Sequence, residues 1–209
     1  MLNPGMKIVK SARSLQSEET ANKIFNQAMK LFLEKGYHGT SIRDITKSAK
    51  ITQGGLYWHF KSKEDLLKKI VKEFEKRFLD EMIRVVGSID GGALEKFEKY
   101  VQFNSAFAFY NPELCVSFTT LAAELVGAHK IKGEIRRIYR KYQDFLSDII
   151  REGKRQEVFK KGINPTLTAL LIIAFHDGIL HQWWMNRDWI DGKAYVNTFK
   201  RNILESLKI

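Results

Sequence analysis

Arg43, Gln53, Tyr57 and His59, with Gly54 and Gly55 among them, are the residues of this sequence whose types and spacing point to chemistry. A glutamine amide can pair with adenine through two hydrogen bonds, and an arginine guanidinium can do the same with guanine. Hydroxyls and ammonium groups such as those of Tyr57, Thr40 and Lys63 suit phosphate contacts, which set register without reading sequence. The Gly54–Gly55 pair is a poor choice inside a helix, at about 1 kcal/mol each relative to alanine. Without side chains the backbone can come close to a phosphate or a base; the plainer alternative is a weak, frayed helix. Plainer alternatives also stand for Arg43, which could pair with Asp44, and for Tyr57, as a half-buried core aromatic.

Such residues need rigid elements to aim them, and the surrounding pattern supplies helices. Ala21, Ile24, Phe25, Ala28, Leu31 and Phe32 recur at three- and four-residue steps, which predicts a helix over about 18–34. Gly36 stops it. Ser41, with Asp44 three residues on, opens a second helix as a capping box; Ile42, Ile45 and Ala49 face inward on it. After a break at 49–51, Thr52 caps a short third helix that ends near Phe60 and is anchored by Leu56 and Phe60. Ser62 with Asp65 opens a fourth, to about Val86, whose first amides favour an anion near Lys63. Two short helices joined by a tight turn and laid on a longer one form the helix-turn-helix plan, in which the second short helix enters the groove. Ser41 and Thr52, at the two helix starts, complete the candidate DNA-contact set.

The stretch IFNQAMKLFLEKGYHGTSIRDITKSAKITQGGLYWHFKSKEDLL, from Ile24 to Leu67, resembles the DNA-binding domain of TetR-type bacterial repressors. F-x-E-K-G-Y-x-x-T-S, I-R-D-I and L-Y-W-H-F-K-S-K carry the likeness, over about a fifth of the chain. The resemblance implies that Thr40 and Lys63 meet phosphates and that Tyr57 and His59 meet phosphates or sugars. It also implies that Arg43, Gln53 and Gly54 reach base edges, and that Trp58 packs. One residue departs from the pattern. The family usually places glycine in the turn between the short helices, where this chain has Lys50; a left-handed lysine costs about 1 kcal/mol, which a phosphate contact could offset.

Charge agrees with a polyanionic partner. The 209 residues carry net +11. Ten Lys/Arg and four Asp/Glu leave +6 in residues 1–62; 25 and 20 leave +5 in the rest. A basic excess also fits an anionic membrane surface, or solubility alone. Residues 1–17, with Lys7, Lys10 and Arg13, read as a flexible arm that reaches a minor groove or trails as a disordered tail. No run of about eighteen apolar residues is long enough to span a membrane, and the N-terminus lacks the apolar stretch of a secretory signal. A single cysteine, Cys115, makes no internal disulfide, so a reducing cytoplasm is the expected location.

Residues 63–209 read as helix throughout. The expected architecture is all-α with about nine helices: a three-helix helix-turn-helix domain over 18–62 and a larger domain over 63–209. Breaks fall at Gly87, Gly91–Gly92, Asn111–Pro112, Gly127 to Gly133 and Asn164–Pro165, and Asp191 caps the last helix. Leu170 to Trp184 is apolar nearly all round, which a helix on a monomer's surface could not sustain. Ala174, Gly178 and Ile179 would let a partner helix approach, and Gln182 joins them in the candidate dimer interface. The string D-G-I-L-x-Q-W also resembles the C-terminal part of some TetR-like repressors, in which the last two helices build a four-helix dimer bundle. Two copies would place their reading helices about 34 Å apart, one turn of DNA.

The same resemblance implies a ligand pocket among the middle helices. Phe103, Phe107, Phe118, Tyr142 and Phe175 are candidate walls, with Phe109, Tyr110 and Phe145 near them; Asn104 and His176 are candidate orienting groups, with His129 and Gln182. Plain core is the alternative for each. Lysines and arginines at a mouth would suit an anionic long-chain effector such as an acyl-CoA.

Rival functions have less behind them. The sequence has no P-loop, dinucleotide-binding glycine motif, G-x-S-x-G or H-E-x-x-H, so no enzyme class is indicated. Cys115 reads as a small buried hydrophobe. Asp177, His181 and His176 are too scattered to argue a metal, and no cofactor is expected. A membrane- or protein-binding helical module, resting on Arg136, Arg137, Arg140 and Lys141, is the remaining alternative to a homodimeric, ligand-released repressor on double-stranded operator DNA; a solvated basic face is the simpler reading of those four residues.

Overall fold

The computed structural model describes residues 12–125 and 130–209. Lys7, Lys10, Gly127 and His129, named above, lie outside them. The described residues form nine helices and no β-sheet, in two compact units, 1–69 and 70–209.

In the first unit α1 spans Ala12–Gly39 and is broken at Gly36, whose φ of 73° ends the regular helix at the expected stop. It starts six residues before the predicted start. No proline or glycine lies between Ala12 and Lys35 to interrupt it, so Arg13 sits on a helix and not on an extended arm. α2 (Ile42–Ala49) and α3 (Gln53–His59) follow. Ser41 caps α2 as a full box: its hydroxyl accepts from the Asp44 N–H, and the Asp44 carboxylate accepts from the Ser41 N–H at 2.9 Å. Those bonds, with Lys35 nearby, hold the Asp44 carboxyl below its ordinary range.

The turn from α2 to α3 is where the departure from glycine takes effect. Lys50 adopts φ 52°, ψ 50°; its N–H donates to Lys47 and the Ile51 N–H to Thr46, a Schellman ending. The left-handed lysine is therefore real. Thr52 then caps α3 by accepting from the Gly55 N–H at 3.0 Å. Ile24, Ala28, Phe32, Ile45, Ala49 and Leu56 close a core with none of them more than 1% exposed.

α4 is continuous over 63–87: Lys63–Phe74 and Glu81–Gly87 are α-helical, and Glu75–Asp80 between them is a turn of π-helix. The Ser62 hydroxyl accepts from the Asp65 N–H, while Asp65 reaches one residue further back, to the Lys61 N–H. The division between the two units falls inside α4, after Lys69, beyond the boundary expected at its first residue.

The second unit adds α5 (Ala93–Tyr110), α6 (Pro112–Glu124), α7 (Lys132–Arg155), α8 (Pro165–Asn186) and α9 (Gly192–Leu207). Asp191 caps the last helix as the sequence predicts, and α8 starts at Pro165 as expected, with Asn164 as its cap. α7 packs along α8 and also meets the π-turn of α4. There Arg137 holds Glu75 through two hydrogen bonds of 2.6 Å, and Lys141 reaches Asp80 at 2.6 Å. Half of the basic face of α7 is thus ion-paired; Arg136 and Arg140 stay exposed. The chain end returns to pair Lys208 with Phe159. No described helix is long and apolar enough to cross a membrane.

Candidate nucleic-acid interface and effector cavity

Within the first unit, α2, the Lys50 turn and α3 present one polar surface. Ser41, Arg43, Lys47, Lys50, Thr52, Gln53, Gly54, Tyr57, Trp58 and Lys61 are all exposed. Asp44 is engaged by Ser41 and lies 3.7 Å from Lys35; Arg43 has no acidic partner among the described residues. Tyr57 is 51% exposed, so the core-aromatic alternative does not hold for it, and His59 is half-buried beside it. Gly54 and Gly55 separate. A Cβ on Gly55 would press on the Thr52 hydroxyl at 3.3 Å, whereas at Gly54 the nearest atom is 4.0 Å away. Gly55 is thus tied to the cap, and Gly54 opens onto solvent.

Three of the expected roles change. Thr40 is 1% exposed, and its hydroxyl donates to Gly36 at 2.8 Å and lies 3.1 Å from the Leu31 carbonyl. Lys63 donates to the carbonyls of Tyr37 and Thr40, both at 2.8 Å, with its ammonium over the Tyr37 ring. Both residues fasten the turn after Gly36, where a broken helix leaves carbonyls needing donors, and are withdrawn as phosphate contacts. Trp58, expected to pack, is 81% exposed, because Leu56 and Phe60 already take the inward positions of so short a helix.

The second unit encloses a cavity of about 710 Å³. Its buried wall includes Phe74, Phe78, Val101, Cys115, Phe118, Ile138 and Tyr142, and its rim is exposed at Phe109, Tyr110, Arg187, Lys193 and Asn197. Phe74 and Phe118 stack at 3.7 Å between centroids. Of the predicted pocket residues, Asn104, Phe118, Tyr142 and His176 line this space. Phe103 and Phe107 do not: they pack against Phe78, at 6.2 and 5.3 Å. Phe175 faces outward, 52% exposed. Conversely Ile179, placed at the dimer interface by sequence, is half-buried and borders the cavity. Ala174, Gly178 and Gln182 stand exposed, in line with Leu171 and Met185 on the outer side of α8.

A polar chain crosses the cavity wall. The hydroxyls of Tyr100 and Tyr142 lie 2.9 Å apart, His176 Nδ1 is 2.7 Å from the first, and Tyr142 donates to Asn104 Oδ1 at 3.0 Å. Each hydroxyl has one proton, so the chain closes only if His176 Nδ1–H donates to Tyr100, Tyr100 to Tyr142, and Tyr142 to Asn104. Burial holds His176 down at about 3, so the ring is neutral, and the relay then requires its Nδ1–H tautomer. Beside it Tyr139 donates to Asp177 Oδ2 at 2.9 Å, and burial pushes the Asp177 carboxyl up to about 6. Sequence reasoning met Asp177 only as a weak metal candidate. A better signal was present, since it is the single acid in residues 165–186 and a carboxylate in an apolar helix needs a reason. His181 has its Nδ1 on the Asp177 carbonyl and its Nε2 near Thr119 and Thr120, and its charge lowers the Asp177 carboxyl. No group of three or more metal-ligating side chains forms among the described residues. Burial raises the Cys115 thiol to about 12, which leaves it without thiolate reactivity.

The comparisons with known proteins divide the chain within one residue of where the two units do. Residues 24–70 match the family described as bacterial regulatory proteins, tetR family, and residues 71–206 match the YsiA-like protein C-terminal region. The transcriptional regulator AcrR of Shigella flexneri is 42% identical over 193 residues, 91% of this chain and 90% of that protein. The fatty acid metabolism regulator protein of Bacillus subtilis is 25% identical over 175 residues, 84% of this chain and 89% of its own. Among solved structures, the MbdR regulator of Azoarcus sp. CIB superposes with a TM-score of 0.82 at 22% identity, covering 91% of this chain and all of its own. FadR of Bacillus subtilis in complex with stearoyl-CoA does so at 0.73 and 23%, covering 88% and 98%. A helix-turn-helix presenting Gln53 and Arg43, joined to an all-helical unit and matched by family over nearly its whole length, makes this chain a member of the TetR family of bacterial transcriptional regulators.

Proposed function

We propose that the chain is a homodimeric repressor that binds palindromic operator DNA through α3 and releases it when a small, largely hydrophobic effector enters the cavity. The observation that carries the DNA reading is the surface of α2 and α3: four cations, Arg43, Lys47, Lys50 and Lys61, without an acidic partner among the described residues, around an exposed Gln53 and an open Gly54. Arg43, Gln53 and Gly54 read base edges; Ser41, Thr52, Tyr57, His59 and Trp58 meet the backbone. The outer side of α8, with Leu171, Ala174, Gly178, Gln182 and Met185, faces a second copy, which supplies the second recognition helix.

The aromatic and aliphatic wall suits an apolar effector body, and an acyl chain is one such body: a FadR structure of the same fold holds stearoyl-CoA. Phe74 and Phe78 belong both to that wall and to α4, so a ligand that displaces them moves the helix that continues to Lys63. A preference of about 1–3 kcal/mol for the DNA-free state is the size of coupling required. The basic face of α7 does not favour a membrane-binding module, since Arg137 and Lys141 are already paired with Glu75 and Asp80.

The test is to select fragments of the source genome with the purified protein at a stated salt concentration and to sequence them. Enrichment of a short palindrome is expected. With Gln53→Ala the preference at one position of each half-site should relax, by about 1–3 kcal/mol, whereas Tyr57→Phe should weaken all sequences alike. Enrichment of no fragment at low salt, without ligand, would remove the repressor reading.

A further inference from the structure

The walls of the cavity are unequal in what they offer a ligand. Tyr100, Tyr142 and His176 form a closed relay ending on Asn104, and the Asn104 amide donates to the Tyr100 carbonyl at 2.8 Å, with Met82 sulfur at 3.5 Å. Tyr139 donates to Asp177. The Thr119 hydroxyl lies 3.2 Å from the carbonyls of both Cys115 and Val116. The phenols of Tyr100, Tyr139 and Tyr142 and the Asn104 amide therefore already donate to protein acceptors. Among these groups the strongest remaining acceptor is the Asp177 carboxylate: one oxygen receives Tyr139, and no lysine or arginine pairs with it among the described residues. Ionised, that carboxylate has, among the described residues, only His181 acting on it as an opposite charge; a ligand bringing a second carboxylate would meet like charge there. The cations Arg187 and Lys193 stand on the exposed rim, where solvent screens them. Aromatic faces, Phe74 stacked on Phe118 and Tyr139 next to them, line the same space, and such faces attract positive charge.

We propose that the effector carries a basic nitrogen: an amine or organic cation whose positive end sits against Asp177 while its apolar body lies along the Phe74–Phe118 wall. The inference rests on the reading of the cavity as the effector site and names the head group that site selects. Tyr139 is a positioning residue, holding the carboxylate toward the space by its hydrogen bond.

Calorimetric titration of the full-length protein at neutral pH with decylamine, decanol and decanoate, one apolar body with three heads, separates the possibilities, with decanoyl-CoA as a fourth probe. Decylamine is expected to bind at least tenfold more tightly than decanol, and decanoate most weakly. Asp177→Asn should bring amine and alcohol within about threefold of each other while leaving the alcohol's affinity little changed. The ranking on the unaltered protein decides the matter even if that variant fails to fold. Decanoate or decanoyl-CoA binding as tightly as the amine would overturn the proposal and leave the cavity as effector site. Binding of none of the four, or binding unaffected when Leu180→Trp fills the cavity, would overturn the cavity reading and this inference with it.

Discussion

Gly54 and Gly55 stand side by side and answer to different constraints. Gly55 is held by the Thr52 cap, and a methyl group there meets the capping oxygen at 3.3 Å. Nothing in the fold asks for glycine at 54. Gly54→Ala should therefore raise helix stability, by up to about 1 kcal/mol, and yet weaken operator binding; thermal melting alongside a binding titration at fixed salt would show the two moving in opposite directions. A loss of both, or of neither, would mean that the backbone at 54 does not approach DNA. Asp177 permits a second test that needs no ligand. Its carboxyl is raised from 3.8 to about 6 by burial, so the folded protein holds the proton more firmly than the unfolded chain does. The cost of ionising it is absent below pH 4 and complete above pH 6, up to roughly 3 kcal/mol. Burial depresses His176 and raises Tyr139, Tyr142 and Cys115, which takes those four out of that window; His181, whose charge lowers the Asp177 carboxyl, is common to both proteins. The ligand-free Asp177→Asn protein should be the more stable of the two at pH 8, and the difference should vanish as pH falls to 4. An equal difference at both pH values would show that the gain comes from packing and not from charge.

At the scale of elements, the sequence was most readable where a helix start or stop depends on a few adjacent residues. Ser41 with Asp44, Thr52 and Asp191 all cap as predicted, and Gly36 and Lys50 take the left-handed region at the turns expected of them. Readability fell where distant elements decide. The π-turn at Glu75–Asp80 has no local signature. Widening one turn lets two acids five residues apart meet the same face of α7, where Lys141 lies 2.6 Å from Asp80 and 3.7 Å from Glu75. The roles of Thr40 and Lys63 were misread for the same reason, since carbonyls exposed by the break at Gly36 claim them, and in the pocket set Phe78 claims Phe103 and Phe107. Gly153 was passed over altogether. It lies inside α7 with no turn to make, but Phe159, wholly buried, folds back onto it, and an added Cβ would lie 2.1 Å from the ring. Neither the ring nor the helix backbone can yield easily in a packed interior. Gly153→Ala should cost about 1–3 kcal/mol or more, despite alanine's better helix propensity, and a denaturant titration would register it; an unchanged midpoint would mean that the ring has room to move.

On the scale of the whole molecule, a single copy leaves α8 incomplete. Leu167, Leu171, Phe175, Met185 and, just beyond the helix, Trp189 are each more than half exposed, and they recur at the spacing of one helical face, with Ala174 and Gly178 between them. A fully buried leucine or phenylalanine contributes about 1.5–3 kcal/mol, so leaving such a stripe in water forgoes stabilisation that a second copy would recover. The small residues at its centre set how near that copy can come. Gly178 has no atom within 4 Å of where its Cβ would stand, so the monomer's fold has no objection to a large side chain there, whereas an interface would. Gly178→Arg should consequently leave the helical content and the core intact, shift the protein from dimer to monomer in sedimentation at micromolar concentration, and abolish selective binding to a palindrome while leaving weak, salt-sensitive association with any DNA. The last two effects must occur together, because each half-site alone offers one α3 only a handful of contacts. A variant that stays dimeric would place the interface on another face of the second unit. One that becomes monomeric but keeps full affinity for the palindrome would separate dimerisation from DNA reading, and with it the idea that effector binding acts by changing the distance between two recognition helices.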